Sequence, residues 1–548
     1  MLSVSILTAG LAVSLLAVPL PRETSFQWVG SFTFDLTVDG LSVFLALIVN
    51  LLGLIIVLYS TGYMKREEGQ SRYYGLVLLF VGSMTGLVLA GNFLQLYIFW
   101  ELVGICSSFL IAFWYERPDA VRAGLKAFVV TRVGDVGLLI GLVYLYVNTG
   151  TVTFASLERM ARTGLIPISV ITTAGLLVFI GAMGKSAQFP LHVWLPDAME
   201  GPSTVSALIH AATMVNAGVY LVARTYPIFS ASSTWLLSVE GVGIFTALAA
   251  APLAMVAPDL KRVLAYSTIS QLGLMFAALG LGNPDGVFAS QFHLMSQGAF
   301  KALGFLAAGS VVHVLGSRDM DKMGGLRRKM PFTFLGFAFA TFAMAGIPPF
   351  IGFWSKDLIL SAALNAGNLA AFSLILVVSV MTSFYSFRAL FRVFLVEPSA
   401  GSGAMSAHES PLVMTLPLFL LSGTVTVLFL FQGWAAGLLG ATSESLSPLI
   451  VVVSLLAVSI GVLAAYLVYL RRGSTGRFAI RYAPLENLRR VLLQGYGFDR
   501  LYDAVAVRPV RYLSEKIRGL QTGMLGTNLW AVLLFLAIFL GVLLVWST

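Results

Sequence analysis

Fifteen stretches of predominantly apolar residues, each of spanning length, succeed one another along the chain. They lie near 2–20, 41–61, 72–90, 92–114, 122–147, 168–187, 203–224, 235–256, 261–280, 286–314, 331–362, 369–394, 411–432, 448–470 and 528–546. A helix of ~20 apolar residues crosses the hydrocarbon of a bilayer, and a segment in lipid has to satisfy its own backbone, which selects helices. The pattern predicts an all-α polytopic membrane protein with about 15 transmembrane helices. The first stretch has no basic residues ahead of it, and AVPLPR is a poor cleavage site, so it reads as a span rather than a signal peptide.

Two of the spans are interrupted. In GKSAQFPLHVWLPDAMEGP (184–202), an uncharged run ends at Lys185, and Pro190 follows five residues later. In AGIPPFIGFWSKD (345–357), Pro348 and Pro349 precede Lys356. Proline removes a helical hydrogen bond and clashes with the preceding turn, so each site is a helix break. The breaks fall at corresponding places in two five-span blocks, 72–224 and 235–394, which suggests an internal repeat of the transporter kind. The predicted organisation is N-terminal spans at 1–71, the two repeats, further spans at 395–470, a basic amphipathic segment at 471–527 and a terminal span at 528–548. Gly473, Pro484, Gly495 and Pro509 punctuate that segment, so it is not one clean rod. Its upper length, if wholly helical, is ~85 Å.

Composition agrees with the spans and narrows the function. Hydrophobic residues are 58% of the 548 and charged residues 11%, against about 25% charged in a soluble domain. The formal charge of +9 is concentrated in alternate loops: Lys65, Arg66 and Arg72; Arg117 and Arg122; Lys261 and Arg262; Arg318, Lys322, Arg327, Arg328 and Lys329; Arg471 and Arg472. The positive-inside rule places these loops and the N-terminus in the cytoplasm and the C-terminus outside, which accounts for the charge without nucleic acid. The single cysteine, Cys106, excludes a disulfide framework, a Cys-based zinc site and an iron–sulfur cluster held by this chain alone.

Several ionisable side chains fall inside the spans: Glu101, Arg132, Asp135, Lys185, His210, His293, Lys301, Lys356 and Asp357. A charge at mid-membrane costs about 2.5–3.5 kcal/mol on insertion scales, so these groups must face the bundle interior, one another or water. Arg132 and Asp135 are three apart on one helix, suited either to a structural ion pair or to a functional one. His293, Gln297 and Lys301 are spaced four and four along one face, and Ser206, His210, Thr213 and Tyr220 make a second polar stripe. Such stripes read as a hydrated proton path. A buried lysine's hold on its proton follows its neighbours' charges, and a break beside it frees backbone groups and admits water. Glu101 is the natural partner for Lys185, being the one acid within the spans before Asp135. Lys185 and Lys356 lie near the ends of apolar runs, and snorkelling to the interface is the plainer alternative for both.

FVVTRVGDVG (128–137), GKSAQFPLHVWLPDAMEGPSTVSALIHAATMVNAGVYL (184–221), LKRVLAYSTISQLG (260–273), FHLMSQGAFKALGF (292–305), KMGGLRRKMP (322–331) and FWSKD (353–357) resemble the antiporter-like subunits of respiratory complex I, most closely the subunit L family. YGFDRLYDAVAVRP (496–509) resembles the subunit L segment beside the lateral helix. The resemblance implies two inverted five-helix repeats, each with a broken helix, and proton translocation driven by redox chemistry in other subunits. It implies that Glu101 and Lys185 form the first proton-handling pair, tuned by Arg132 and Asp135. His210, His293 and Lys301 continue a central axis to Lys356, with Gln297 and Asp357 in support. No cofactor belongs to this chain; FMN, iron–sulfur clusters and quinone belong to partner subunits of an inner (plasma) membrane complex, with adjacent antiporter-like subunits and lipid as neighbours. The chain departs from the family in Gln297, where a histidine is usual, in fifteen spans rather than sixteen and in a short lateral segment. Cation/proton antiporters, membrane-bound hydrogenases and bicarbonate-uptake complexes share the core and are the alternative.

Overall fold

Each of the fifteen apolar segments falls on helix in a computed structural model, which describes residues 2–18, 22–29, 32–397, 407–441, 447–471, 483–520 and 525–547. Among the described residues, twelve helices are long and apolar enough to cross a membrane. The other three segments carry the shorter apolar helices Leu2–Ala17 and Pro331–Ala345, and Val532–Val542 within Leu525–Ser547. Local chemistry sets the boundaries. Asp39, Asn92, Asp259 and Asn283 each accept a backbone N–H at a helix start, and proline opens Pro118–Thr149 and Pro284–Leu315, where its missing N–H costs nothing. Gly150 and Gly316, both left-handed, close these two 32-residue helices.

The chain is not wholly α. Arg22–Val29 and Phe32–Val38 pair as an antiparallel hairpin with Phe26 opposite Phe34. RETSFQWV and FTFDLTV alternate with a period of two and are rich in aromatic and β-branched residues, which suits a strand better than a loop between spans. Asp35 fastens the hairpin, accepting from Ser25 (2.6 Å), Thr33 (2.9 Å) and Asn92 (2.8 Å). Burial opposes its charge, but these hydrogen bonds prevail and hold its carboxyl below the usual aspartate value.

The chain divides into two units, Met1–Glu486 and Asn487–Thr548. At the centre of the first lies Pro284–Leu315, whose residues from Phe288 to Val311 are all buried. Around it pack Gly40–Tyr63, Ser203–Ala211, Leu260–Gly280, Pro331–Ala345 and Ile351–Asn365. Outer helices present apolar stripes instead: Leu449, Val452, Leu456, Ile460 and Leu463 are exposed along Pro448–Tyr469, a surface suited to lipid.

Both predicted breaks are present. Ile168–Lys185 ends at Lys185, and the short helices Trp194–Asp197 and Ala198–Glu200 precede Ser203–Ala211. Pro331–Ala345 stops at left-handed Gly346, and Ile351–Asn365 begins five residues later. A third break was not signalled by proline or glycine: the span from Ser203 to Phe229 is interrupted between Ala211 and Met214. There Thr213 donates to Leu208 O (2.8 Å) and Asn216 to Ala211 O (2.9 Å), so side chains satisfy carbonyls that the helix leaves free.

In the second unit, Gly495, Tyr496 and Gly497 all take positive φ and separate Ala483–Leu493 from a helical run over Phe498–Leu520. Pro509 does not end that run; it follows a wider turn, Asp503–Val507. Gly473 and Arg481 lie outside the described residues. The longest described run is therefore ~35 Å, well short of the 85 Å upper bound. Along Arg508–Leu520, Arg508, Arg511, Glu515 and Arg518 lie on one face and Val510, Leu513 and Ile517 on another, all exposed.

Candidate functional site

Three helices bring the first group of charges together: Phe93–Ile111 carries Glu101, Pro118–Thr149 carries Arg132 and Asp135, and Ile168–Lys185 ends in the lysine itself. The expected Glu101–Lys185 pair is not formed. Lys185 Nζ donates to Asp135 Oδ2 at 3.1 Å, and the two side chains are 0% and 1% exposed. Arg132 meets the same Oδ2 at 3.2 Å and pairs with Glu101 on its other side. The reason is geometric: Arg132 lies one turn before Asp135 on the same helix face and fills the space between the two acids. Trp100 Nε1 donates to the remaining oxygen of Asp135. Gly104 makes the arrangement possible, because a Cβ there would lie 2.4 Å from both Arg132 Nη2 and Lys185 Nζ. Two acids and two bases balance, which offsets the cost of holding Lys185 and Asp135 out of water beside the partly exposed Arg132 and Glu101. Lys185 does not snorkel: its helix ends inside the protein, where Trp194 Nε1 donates to Gly184 O (3.0 Å).

The second group is built on the other break. Lys356 Nζ donates to Met344 O (2.5 Å) and Ala345 O (3.5 Å), the carbonyls left free where Pro331–Ala345 stops. Lys301 has no carboxylate partner among the described residues; it donates to Leu264 O (3.3 Å), to Ser267 Oγ and to Met344 Sδ (3.5 Å). Met344 thus touches both lysines, one through its sulfur and one through its carbonyl. His293 lies between Ser355 Oγ (2.9 Å) and Gln271 Oε1 (3.2 Å). Asp357 turns to the neighbouring helix Pro448–Tyr469, accepting from Ser454 (3.0 Å).

On Ser203–Ala211 and Pro284–Leu315 lie several buried polar atoms with no hydrogen-bond partner among the described residues. Both ring nitrogens of His210, both amide atoms of Gln297 and of Gln291, and Ser296 Oγ are of this kind. Buried polar atoms in folded proteins pair with protein groups or with water. The His210 ring packs 4.5 Å from that of Phe305, one turn beyond Lys301. Ser186, beside Lys185, donates to Val215 O (2.7 Å) on the helix that follows His210.

The predicted stripe His293, Gln297 and Lys301 is buried along one helix. The stripe Ser206, His210, Thr213 and Tyr220 is not one surface, because the break between Ala211 and Met214 divides it. Tyr220 instead donates to Val88 O (2.8 Å) and accepts from Arg224 (2.9 Å), which pairs with Asp39 across 185 positions of sequence. Lys261, assigned from sequence to a basic loop, is a buried residue of Leu260–Gly280. No signal in the chain marked either feature, since each depends on distant segments meeting.

Residues 90–383 match the family described as NADH:quinone oxidoreductase/Mrp antiporter, TM, and residues 27–74 match the N-terminus of NADH-ubiquinone oxidoreductase (complex I) chain 5. NAD(P)H-quinone oxidoreductase chain 5 of Synechocystis sp. is 43% identical over 464 residues, covering 75% of this chain and 68% of its own length. F(420)H(2) dehydrogenase subunit L of Methanosarcina mazei is 43% identical over 446 residues, covering 75% of this chain and 66% of that protein. Among solved structures, a chain of the Mrp complex from Dietzia sp. superimposes with a TM-score of 0.80 at 29% identity, over 99% of this chain and 62% of that one. The chain is a membrane protein that belongs to the NADH:quinone oxidoreductase/Mrp antiporter family, in its subunit L (chain 5) branch.

Proposed function

We propose that the chain is a proton-translocating membrane subunit of a donor:quinone oxidoreductase, moving protons along its buried polar axis while other subunits carry out the redox chemistry. The observation that carries this reading is the buried series from Glu101, Arg132, Asp135 and Lys185, past His210 and Gln297, to Lys301, Met344 and Lys356, with a helix break beside each end. Lys185 and Arg132 share one oxygen of Asp135. A lysine's hold on its proton follows its nearest charges, so whichever cation Asp135 faces sets whether Lys185 keeps its proton. His210 and Gln297 mark the hydrated stretch between the halves. Gln297 takes up no proton itself, and water carries it past that position. Lys356, on the free carbonyls of the second break, is the far station, with Asp357 and His293 beside it.

In this reading, residues 72–224 and 235–394 are inverted repeats. It is supported by the paired 32-residue helices Pro118–Thr149 and Pro284–Leu315, each followed by a broken helix. All fifteen apolar segments cross the plasma membrane, and the basic loops are cytoplasmic. FMN, iron–sulfur clusters and quinone belong to partner subunits. Relatives of equal identity are named for different electron donors, NAD(P)H and reduced F420, so the donor is selected outside this chain. A cation/proton antiporter subunit is the second reading, favoured by the Mrp superposition, whose 99% coverage reaches into the tail. The higher identity to the oxidoreductase subunits, 43% against 29%, favours the first.

The test uses inverted membrane vesicles with matched subunit content. Lys185→Ala is expected to abolish most donor-driven proton uptake while insertion and assembly persist. Uptake equal to wild type would overturn the proton-carrier role, and cation-driven exchange without donor dependence would establish the antiporter reading.

A further inference from the structure

The linker that leads from the first break to the helix bearing His210 is Trp194–Gly201, and cations from both halves hold it. From the first half, Lys126 Nζ donates to Asp197 Oδ2 (2.5 Å); Lys126 sits on Pro118–Thr149, the helix that carries Arg132 and Asp135. From the second half, Arg262 Nη2 donates to Asp197 Oδ1 (3.0 Å). Next to it, Lys261, 2% exposed, donates to Met199 O (2.8 Å) and Gly201 O (2.7 Å). Arg318 also donates to Met199 O (2.8 Å) and to Glu200 (2.7 Å), and reaches Asp259 (3.3 Å). Asp259 in turn caps Leu260–Gly280 by accepting the N–H of Lys261 and of Arg262.

The far ends of these connections are the two proton sites. Leu260–Gly280, whose first turn grips the linker, also supplies Leu264 O and Ser267 to Lys301 and Gln271 to His293. Pro118–Thr149 supplies Asp135 to Lys185. Asp197 therefore divides its two oxygens between the helix that holds the counter-charge of Lys185 and the helix that holds the partners of Lys301 and His293. The linker and the first turn of Leu260–Gly280 move as one body, because the buried Lys261 ammonium is compensated by the linker's carbonyls, and parting them would strand that charge.

We propose that the linker Trp194–Gly201 couples the two half-sites, with Asp197 as a positioning residue: a change in the Asp135–Lys185 pair shifts the linker, and the linker shifts the helix that sets the surroundings of Lys301 and His293. The inference rests on the proton-translocation reading and deepens it. Asp197 is partly exposed, and ion pairs of that kind add little to stability, so its neutralisation leaves a folded chain.

Asp197→Asn, Asp197→Glu, Lys185→Ala and the double variant Asp197→Asn/Lys185→Ala are compared in inverted vesicles of the assembled complex, as protons taken up per donor oxidised. Asp197→Asn is expected to lower the ratio about fivefold, the low end of couplings between sites. Asp197→Glu restores most of it, and the double variant is no worse than Lys185→Ala. An Asp197→Asn ratio equal to wild type, losses that multiply in the double variant, or no rescue by Asp197→Glu would each overturn the coupling role. If Lys185→Ala itself has no effect, the proton-carrier reading falls, and the coupling falls with it. Should Asp197→Asn fail to assemble, Arg262→Gln, which keeps the Lys126–Asp197 pair, is read by the same outcomes.

Discussion

The exchange of partners around Lys185 changes which acid matters most. From sequence, Glu101 stands as the counter-charge; in the fold that place belongs to Asp135, which is buried and shared by Lys185 and Arg132, while Glu101 is 19% exposed and pairs with Arg132. Removing one partner from a buried ion pair costs about 3–5 kcal/mol, because the charge left behind is uncompensated. Asp135→Asn is therefore expected to be the more damaging change, lowering both the amount of assembled subunit and donor-driven proton uptake. Glu101→Gln is expected to retain assembly with a smaller loss of uptake. Quantitative blotting of membranes beside vesicle uptake assays separates the two effects, and equal damage from both substitutions would show that the four charges act as one unit rather than around Asp135. The buried lysines were legible in the chain because charge is rare in apolar runs. Their partners were not, since Asp135 and Lys185 are 50 positions apart and meet only through helix packing.

Elements whose cause is local were readable, and those whose cause is tertiary were not. Proline announced the breaks after Lys185 and before Lys356, while the break between Ala211 and Met214 is maintained by Thr213 and Asn216, residues that sit equally well in unbroken helix. The strands Arg22–Val29 and Phe32–Val38 carry a period-two signal, but they lie between two long apolar runs, where connecting chain is the plainer expectation. The second proline break has a further requirement that no periodicity reveals: Ile351–Asn365 approaches the end of Pro331–Ala345 so closely that a Cβ on Gly352 would lie 1.7 Å from Ala343 O. Backbone cannot yield as a side-chain tip does. Gly352→Ala is expected to force the half-helices apart, displace Lys356 from Met344 O and Ala345 O, and cost at least the ~1–3 kcal/mol of leaving buried polar groups unpaired. Thermal unfolding of the detergent-solubilised subunit, read beside vesicle uptake, checks this. An unchanged midpoint with normal uptake would show that the break tolerates separation.

At the scale of the whole molecule, the proposed proton axis and the tail are separable. Every ionisable group placed on the axis lies in the unit Met1–Glu486, and the tail helices from Phe498 onward fall in the unit Asn487–Thr548. The tail exposes apolar surface that water does not tolerate: Val510, Leu513 and Ile517 line one face of its amphipathic run, and the described side chains of Leu525–Ser547 are exposed throughout. A face of that kind, with arginines opposite, suits a position at the membrane surface against lipid or neighbouring subunits, and the 23-residue terminal helix Leu525–Ser547 is expected to anchor it by crossing once. Ending the chain after Leu470 removes that surface and leaves the Lys185, Lys301 and Lys356 sites intact. The truncated chain is accordingly expected to insert, but to be lost from the complex, so that neighbouring membrane subunits no longer co-purify and the assembly migrates faster on a native gel. Normal co-purification with full donor-driven proton uptake would show the tail to be dispensable for both assembly and pumping.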